Sequence, residues 1–272
     1  MTSEAVDSTS CHAYLRAMGI TPWVPRLDVQ SDPPRDLPEP VVEPATGAAV
    51  PAIAAFTDAA ADLSGIRMPD RPAAERAPER ASRGGMDPAS MEWSALQSAV
   101  ADCRACGLCE TRTQTVFGVG NREADLLLIG EAPGADEDRE GEPFVGRAGQ
   151  LLNRMLAAIG LPREQVYIAN ILKCRPPGNR DPRPDESLRC QPFLMRQIEL
   201  VRPRVILTLG RISAQTLLGT DVPVGRLRGR WYALGPDSIP LRVTYHPAYL
   251  LRSPEQKGKA WEDLTAVVGR LS

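Results

Sequence analysis

Several things are scarce in this chain, and each scarcity narrows the reading. Aromatic residues make up 5% of its 272 residues, so a core must rest on aliphatic side chains. Only two histidines are present, His12 and His246, so chemistry that needs an imidazole has few candidates. No run approaches the ~20 apolar residues that cross a bilayer, and no membrane role is expected. The opening MTSEAVDSTS has no basic stretch leading into an apolar one, so no secretory signal is expected and a cytoplasmic location is. The Gly-Lys-Ser/Thr signature of a Walker phosphate loop is also missing. A net charge of −2, taken as a total, argues against a nucleic-acid partner.

That total conceals two opposite regions. Residues 1–90 carry 8 Arg against 13 acidic side chains, a net of −5, and hold 12 of the 26 prolines. The remainder has a net of +3, and residues 171–252 alone reach +8 with 14 basic and 6 acidic groups. The first 90 residues, rich in Ala, Pro, Asp and Glu without a sustained period, are expected to form a disordered tail. One island within it, residues 10–26 (SCHAYLRAMGITPWVPR), gathers Tyr14, Leu15, Met18, Ile20 and Trp23, and reads equally as a motif for a protein partner or as an incidental apolar cluster.

From Met91 the pattern becomes regular, and residues 91–272 are expected to form one domain. Helices are predicted at 91–105, 148–159, 185–201, 211–218 and 258–271. They alternate with short apolar strands at 125–130 (DLLLIG), 166–171, 205–209 (VILTL) and 241–244. This alternation predicts an α/β fold: a three-layer α/β/α sandwich around a mostly parallel four-stranded sheet. Sites in such folds lie beyond the carboxyl ends of the strands. Those ends carry Gly130-Glu131-Ala132-Pro133-Gly134, Asn170, Gly210 and His246-Pro247.

Three groups of residues could carry chemistry. Cys103, Cys106 and Cys109 are spaced C-x2-C-x2-C, with Cys174 and Cys190 farther on. In a reducing compartment that concentration points to zinc or an iron–sulfur cluster. Cys109 is followed by Glu110, so a ferredoxin-type run is incomplete and further ligands must come from Cys174 and Cys190. The second group is the loop 130–138 with Glu142-Pro143-Phe144-Val145-Gly146, where two glycines around a proline let the backbone approach a ligand. The third is His246 at a strand end; a lone histidine is more often structural than catalytic.

Taken together, GEAPGADED, EPFVGRAGQLLN, YIANILKCRPPGNR and HPAYLLR resemble the uracil-DNA glycosylase superfamily, and specifically its family 4, the iron–sulfur enzymes of bacteria and archaea. The resemblance covers about residues 101–272. It implies a monofunctional DNA repair hydrolase that flips uracil out of single- or double-stranded DNA and cleaves its N-glycosidic bond, leaving an abasic site. It also implies a monomer in the bacterial cytoplasm or nucleoid. A structural [4Fe–4S] cluster would be held by Cys103, Cys106, Cys174 and Cys190, with Cys109 the extra thiol. Phe144 would stack on the flipped base, and Asn170 would accept from uracil N3–H and donate to O4, a pattern that cytosine reverses. Glu137 would fill the space of thymine's methyl. His246 would donate to uracil O2 as charge develops, beside a backbone amide near Ala132. Family-1 relatives carry a water-activating Asp where Ala132 stands, so Glu131 and Asp138 are the nearby carboxylates for that task.

The resemblance gives the basic region a purpose as well. Arg175, Arg180, Arg183 and Arg189, with Arg226, Arg228 and Arg230, would bind phosphates without reading sequence. Leu250, within Tyr249-Leu250-Leu251-Arg252, would wedge into the stack left by the base, with Arg252 beside it; Leu250 and Leu251 read equally as core. Two rival readings exist: an iron–sulfur redox protein, which leaves Asn170, His246 and the GEAPG loop without a role, and a non-catalytic DNA-binding module.

Overall fold

The computed structural model describes residues 87–272, so the expected acidic tail, apart from its last few residues, and the 10–26 motif lie outside the described residues. Six strands form one sheet: β1 (Val119–Gly120), β2 (Leu126–Gly130), β3 (Tyr167–Asn170), β4 (Val205–Leu209), β5 (Trp231–Leu234) and β6 (Ile239–Thr244). Among the described residues eight α-helices surround it: α1 (Trp93–Ala101), α2 (Ala135–Glu140), α3 (Arg147–Ala158), α4 (Pro184–Val201), α5 (Arg211–Leu218), α6 (Val224–Leu227), α7 (Pro247–Arg252) and α8 (Lys257–Leu271). Among the described residues no helix is long and apolar enough to cross a membrane.

The strand order is β1-β3-β2-β4-β6-β5. The inner four strands run parallel, as expected, while β1 pairs antiparallel with β3 and β5 antiparallel with β6. The sheet therefore has six strands and is mixed, not four. Both added strands are edges: β1 is two residues long, and β5 is held to β6 across a short turn. Neither has a long apolar run, because an edge strand needs burial on fewer sides.

β2 is apolar throughout, and β4 is so but for Thr208, because both sheet faces are covered; β6 also buries Arg242 and Thr244. Leu126 and Leu128 of β2 join Val205, Leu207 and Leu209 of β4 in packing on Leu152, Met155 and Leu156 of α3 and Leu264 and Val267 of α8. The alternate residues Leu127, Ile129 and Ile206 face Leu194, Ile198 and Val201 of α4. A third, smaller cluster joins Leu96 and Val100 of α1 to Phe117 and Phe193, next to Cys103 and Cys190. The chain leaves β2 toward β3 on one side and later builds β4 and β6 on the other. The strand order thus reverses at β2, and the loops beyond β2 and β4 diverge there into a crevice.

Candidate active site

All four parallel strands deliver residues to that crevice, which encloses about 800 Å³. Glu131 and Ala132 follow β2, Asn170 ends β3, Gly210 and Arg211 follow β4, and Tyr245 and His246 follow β6; Glu137 comes from α2 and Phe144 from the loop between α2 and α3.

Asn170 is 2% exposed, yet its Oδ1 has no hydrogen-bond partner. A buried amide oxygen left unpaired costs about 1–3 kcal/mol, which a ligand donor would recover. Gly130 makes room for it: a Cβ there would stand 2.3 Å from Asn170 Oδ1 and 2.7 Å from the Phe144 ring. Phe144 is buried and takes a left-handed backbone with φ of +56°. For a residue with a Cβ that conformation costs about 1–3 kcal/mol. It is held by Arg163, which donates to the carbonyls of Pro143 (2.5 Å) and Phe144 (3.4 Å). Gly149 of α3 presses on the same turn, since a Cβ there would meet the Phe144 carbonyl oxygen.

His246 lies beside Phe144, ring centroids 5.5 Å apart and tilted by 31°. It is the N-cap of α7: its Nδ1 accepts from the Ala248 amide at 3.1 Å. Because Nδ1 is an acceptor, a neutral ring carries its proton on Nε2. Burial, aided by the charge of Arg252, pushes the pKa of His246 down to about 4, so near pH 7 it is a neutral donor.

The carboxylates of the first loop separate by environment. Glu131 lines the crevice, and burial together with the charge of Asp181, opposed by Arg211, raises its pKa to about 7. Asp138 is buried away from the crevice and committed to Thr113, accepting from its amide at 2.9 Å and its hydroxyl at 2.8 Å. Of the two carboxylates near Ala132, only Glu131 is free to act. Glu137 lines the crevice too, but its carboxylate is a staple: it accepts from the amides of Gly134 (3.1 Å), Val145 (3.0 Å) and Gly146 (3.2 Å).

Cys103, Cys106, Cys109, Cys174 and Cys190 line one separate pocket as free thiols. Arg112 donates to Cys174 Sγ at 3.0 Å and the Lys173 amide to Cys190 Sγ at 3.3 Å. Burial raises the thiols of Cys106 and Cys174 and pushes Cys190 up to about 12. Five soft sulfurs with cationic and amide donors behind them suit a cluster that carries negative charge. Among the described residues, however, no three His, Cys, Asp or Glu side chains come together as a site for a single metal ion.

Several of the proposed DNA contacts are placed differently from the sequence expectation. Leu250 is 1% exposed and belongs to the core beneath α7, whereas Leu251 stands 39% exposed, so the wedge reading passes to Leu251. Arg228 is locked by Glu262 and Asp263, both at 3.0 Å, and by the Lys259 carbonyl, and it is not a free phosphate ligand. Arg180 is held in a bidentate pair by Glu186 at 2.6 and 2.9 Å. Arg175 binds Asn179 at 2.7 Å, and Arg252 is exposed at the crevice. Sequence reasoning missed Arg211 and Asp181, which pair at 2.5 Å on the crevice wall, and the buried Lys173 behind Asn170. The position of Arg211, directly after the glycine that follows β4, was the available signal.

Fold and crevice define a class: an α/β enzyme with its site beyond the parallel strand ends, where an amide, a neutral imidazole and an aromatic face surround a space fit for a flat polar ring. The chain belongs to the uracil-DNA glycosylase superfamily, on its type-4 branch. The model of the uracil DNA glycosylase superfamily matches residues 117–265. The type-4 uracil-DNA glycosylase of Archaeoglobus fulgidus is 45% identical over 174 residues, 62% of this chain and 87% of that protein. Those of Saccharolobus solfataricus (46% over 180 residues, 64% and 83%) and Thermotoga maritima (45% over 158 residues, 57% and 80%) are similarly related.

Proposed function

We propose that this protein removes uracil from DNA in base excision repair, hydrolysing the N-glycosidic bond of a flipped deoxyuridine. The observation that carries the reading is the buried, unpartnered Oδ1 of Asn170 in the crevice. It accepts from uracil N3–H while the amide NH2 donates to O4; cytosine, with no N3–H and a donor at C4, would leave the same atoms unpaired. Phe144 stacks on the ring, a contact worth ~1–3 kcal/mol. Glu137, immobilised by three amides, is the wall against a C5 methyl.

Cleavage leaves negative charge on the base and positive charge on the sugar. His246 Nε2–H donates to O2, and because it is neutral it meets the growing charge by a hydrogen bond rather than by transferring a proton at the start. Glu131 orients water toward C1′ as its base, with the Ala132 segment beside it. A [4Fe–4S] cluster on Cys103, Cys106, Cys174 and Cys190 would cross-link Cys174, beyond β3, and Cys190, on α4, to the segment after α1 without taking part in hydrolysis, and Cys109 is the fifth thiol.

Uracil release from an oligonucleotide tests the reading. The unaltered protein is expected to form abasic sites at dU and not at dT, and Asn170→Ala to lose about 10²–10³-fold in kcat/KM. Binding of uracil-containing DNA without any abasic product would overturn it in favour of a non-catalytic module.

A further inference from the structure

We infer that Arg211 is a phosphate ligand for the strand that carries the flipped nucleotide, and that Asp181 masks it in the free protein. The inference rests on the uracil-excision reading and adds to it a binding residue and its internal competitor.

Arg211 and Asp181 reach the crevice from different elements. Arg211 opens α5 directly after β4, whereas Asp181 lies in the loop between Cys174 and Cys190. Both line the crevice, and their side chains meet at 2.5 Å while remaining 50% and 64% exposed. The guanidinium has one further hydrogen bond, 3.4 Å to Gln215 within its own helix, and its charge also acts on Glu131 across the crevice. It is thus held by one solvent-facing carboxylate on the wall of a cavity sized for a nucleotide. A base drawn into that cavity brings its own phosphates to the rim, where a phosphodiester offers the same two-oxygen geometry as the carboxylate. Of the other arginines on the crevice wall, Arg180 is tied to a carboxylate 7% exposed, which no phosphate can readily displace, and Arg252 stands exposed without, among the described residues, the Arg211 arrangement of a facing carboxylate. A pair so exposed gives little stability by itself, and the carboxylate repels any phosphate that does not replace it.

A plain tether between loop and helix is the alternative, and it predicts a different sign. Breaking a tether from either end does the same harm. Removing a ligand or its mask does opposite things. The test is affinity of the full-length, iron-loaded protein for an oligonucleotide carrying 2′-fluorodeoxyuridine, whose fluorine disfavours the cationic sugar and blocks cleavage, against a thymidine control. Arg211→Gln is expected to weaken binding of the analogue about tenfold and to lower the slope of log K against log salt by about one. Asp181→Asn is expected to tighten it severalfold at low salt. Melting temperatures of both variants should match the unaltered protein. If both substitutions weaken binding alike, the pair is a tether and the inference fails while the excision reading stands. If the unaltered protein does not prefer the analogue over thymidine, the excision reading fails and takes the inference with it.

Discussion

The crevice and the cysteine pocket are joined by one short stretch of chain, residues 170–174, and they treat polar atoms in opposite ways. At one end Asn170 keeps a buried oxygen without a partner, and His246 opposite it keeps Nε2–H for a ligand. At the other end the thiols of Cys174 and Cys190 already receive donors from Arg112 and the Lys173 amide. Lys173 joins the two: buried, with its pKa pushed down to about 8 by burial, its Nζ donates to the Asn170 carbonyl at 3.0 Å and to Gln197 at 2.6 Å. Gln197 in turn donates to the Phe117 carbonyl and the Tyr167 hydroxyl. A region that must bind something transient stores unmet hydrogen bonds, and a region that must hold shape meets them internally.

The sharpest way to break this contrast is to damage one atom in each region. His246→Asn retains an acceptor for the Ala248 amide, because asparagine is a good N-cap, and removes only the Nε2 donor. We expect uracil release to fall about 10²–10³-fold with iron content and melting temperature unchanged. Cys190→Ser should do the reverse in kind, losing iron and lowering the melting temperature by several degrees. Steady-state kinetics, iron analysis and calorimetry on the two variants decide it; a His246→Asn protein that unfolds as early as Cys190→Ser would show that the crevice is structural too.

A smaller effect separates two ionisable groups of the crevice, Glu131 and His246. With the pKa of Glu131 at about 7, kcat/KM should climb roughly tenfold per pH unit below neutrality and flatten above it. His246, near 4, adds no limb in that range. Glu131→Gln should remove the climb and run low at all pH. Stability moves the opposite way. A carboxyl whose pKa is raised on folding holds its proton more tightly folded than unfolded. The unaltered protein therefore loses stability as pH rises from about 4.5 to about 7, and Glu131→Gln should not. Denaturant titrations at pH 5 and pH 8 would show this; equal losses in both proteins would place the burial cost elsewhere.

What the sequence made legible follows a physical line. The inner strands β2 and β4 were readable because burial on both faces writes a nearly unbroken apolar run, and the ends of the parallel strands mark Asn170 and His246 in the sequence itself. The edge strand β1 was not readable, since two residues paired with Ile168 and Tyr167 carry no periodicity. Nor was the fate of Arg228, whose partners lie more than 30 residues away on α8. Glu137 reads as an open loop charge until residues 144–146 fold back over it. For β1 and Arg228 the deciding contacts are distant in sequence, where local pattern has no access to them; for Glu137 they lie within nine residues but depend on the turn through Phe144.

The smallest expected effect concerns neighbouring leucines. α7 is six residues long, too short for its apolar phase to be read from sequence, and only docking of α7 on the core decides which leucine faces out. Leu250, 1% exposed and packed in the same cluster as Leu152 and Leu264, should cost about 2–4 kcal/mol when truncated to alanine, with activity per folded molecule nearly intact. Leu251→Ala should leave stability within about 0.5 kcal/mol. It should slow uracil release severalfold from duplex DNA but not from a single strand, because only the duplex has a stack to hold open after the base leaves. Kinetics on matched single- and double-stranded substrates would test this. An equal loss on both would mean that Leu251 touches the nucleotide itself, and the line between the packed side of α7 and its ligand-facing side would then run somewhere other than between these two residues.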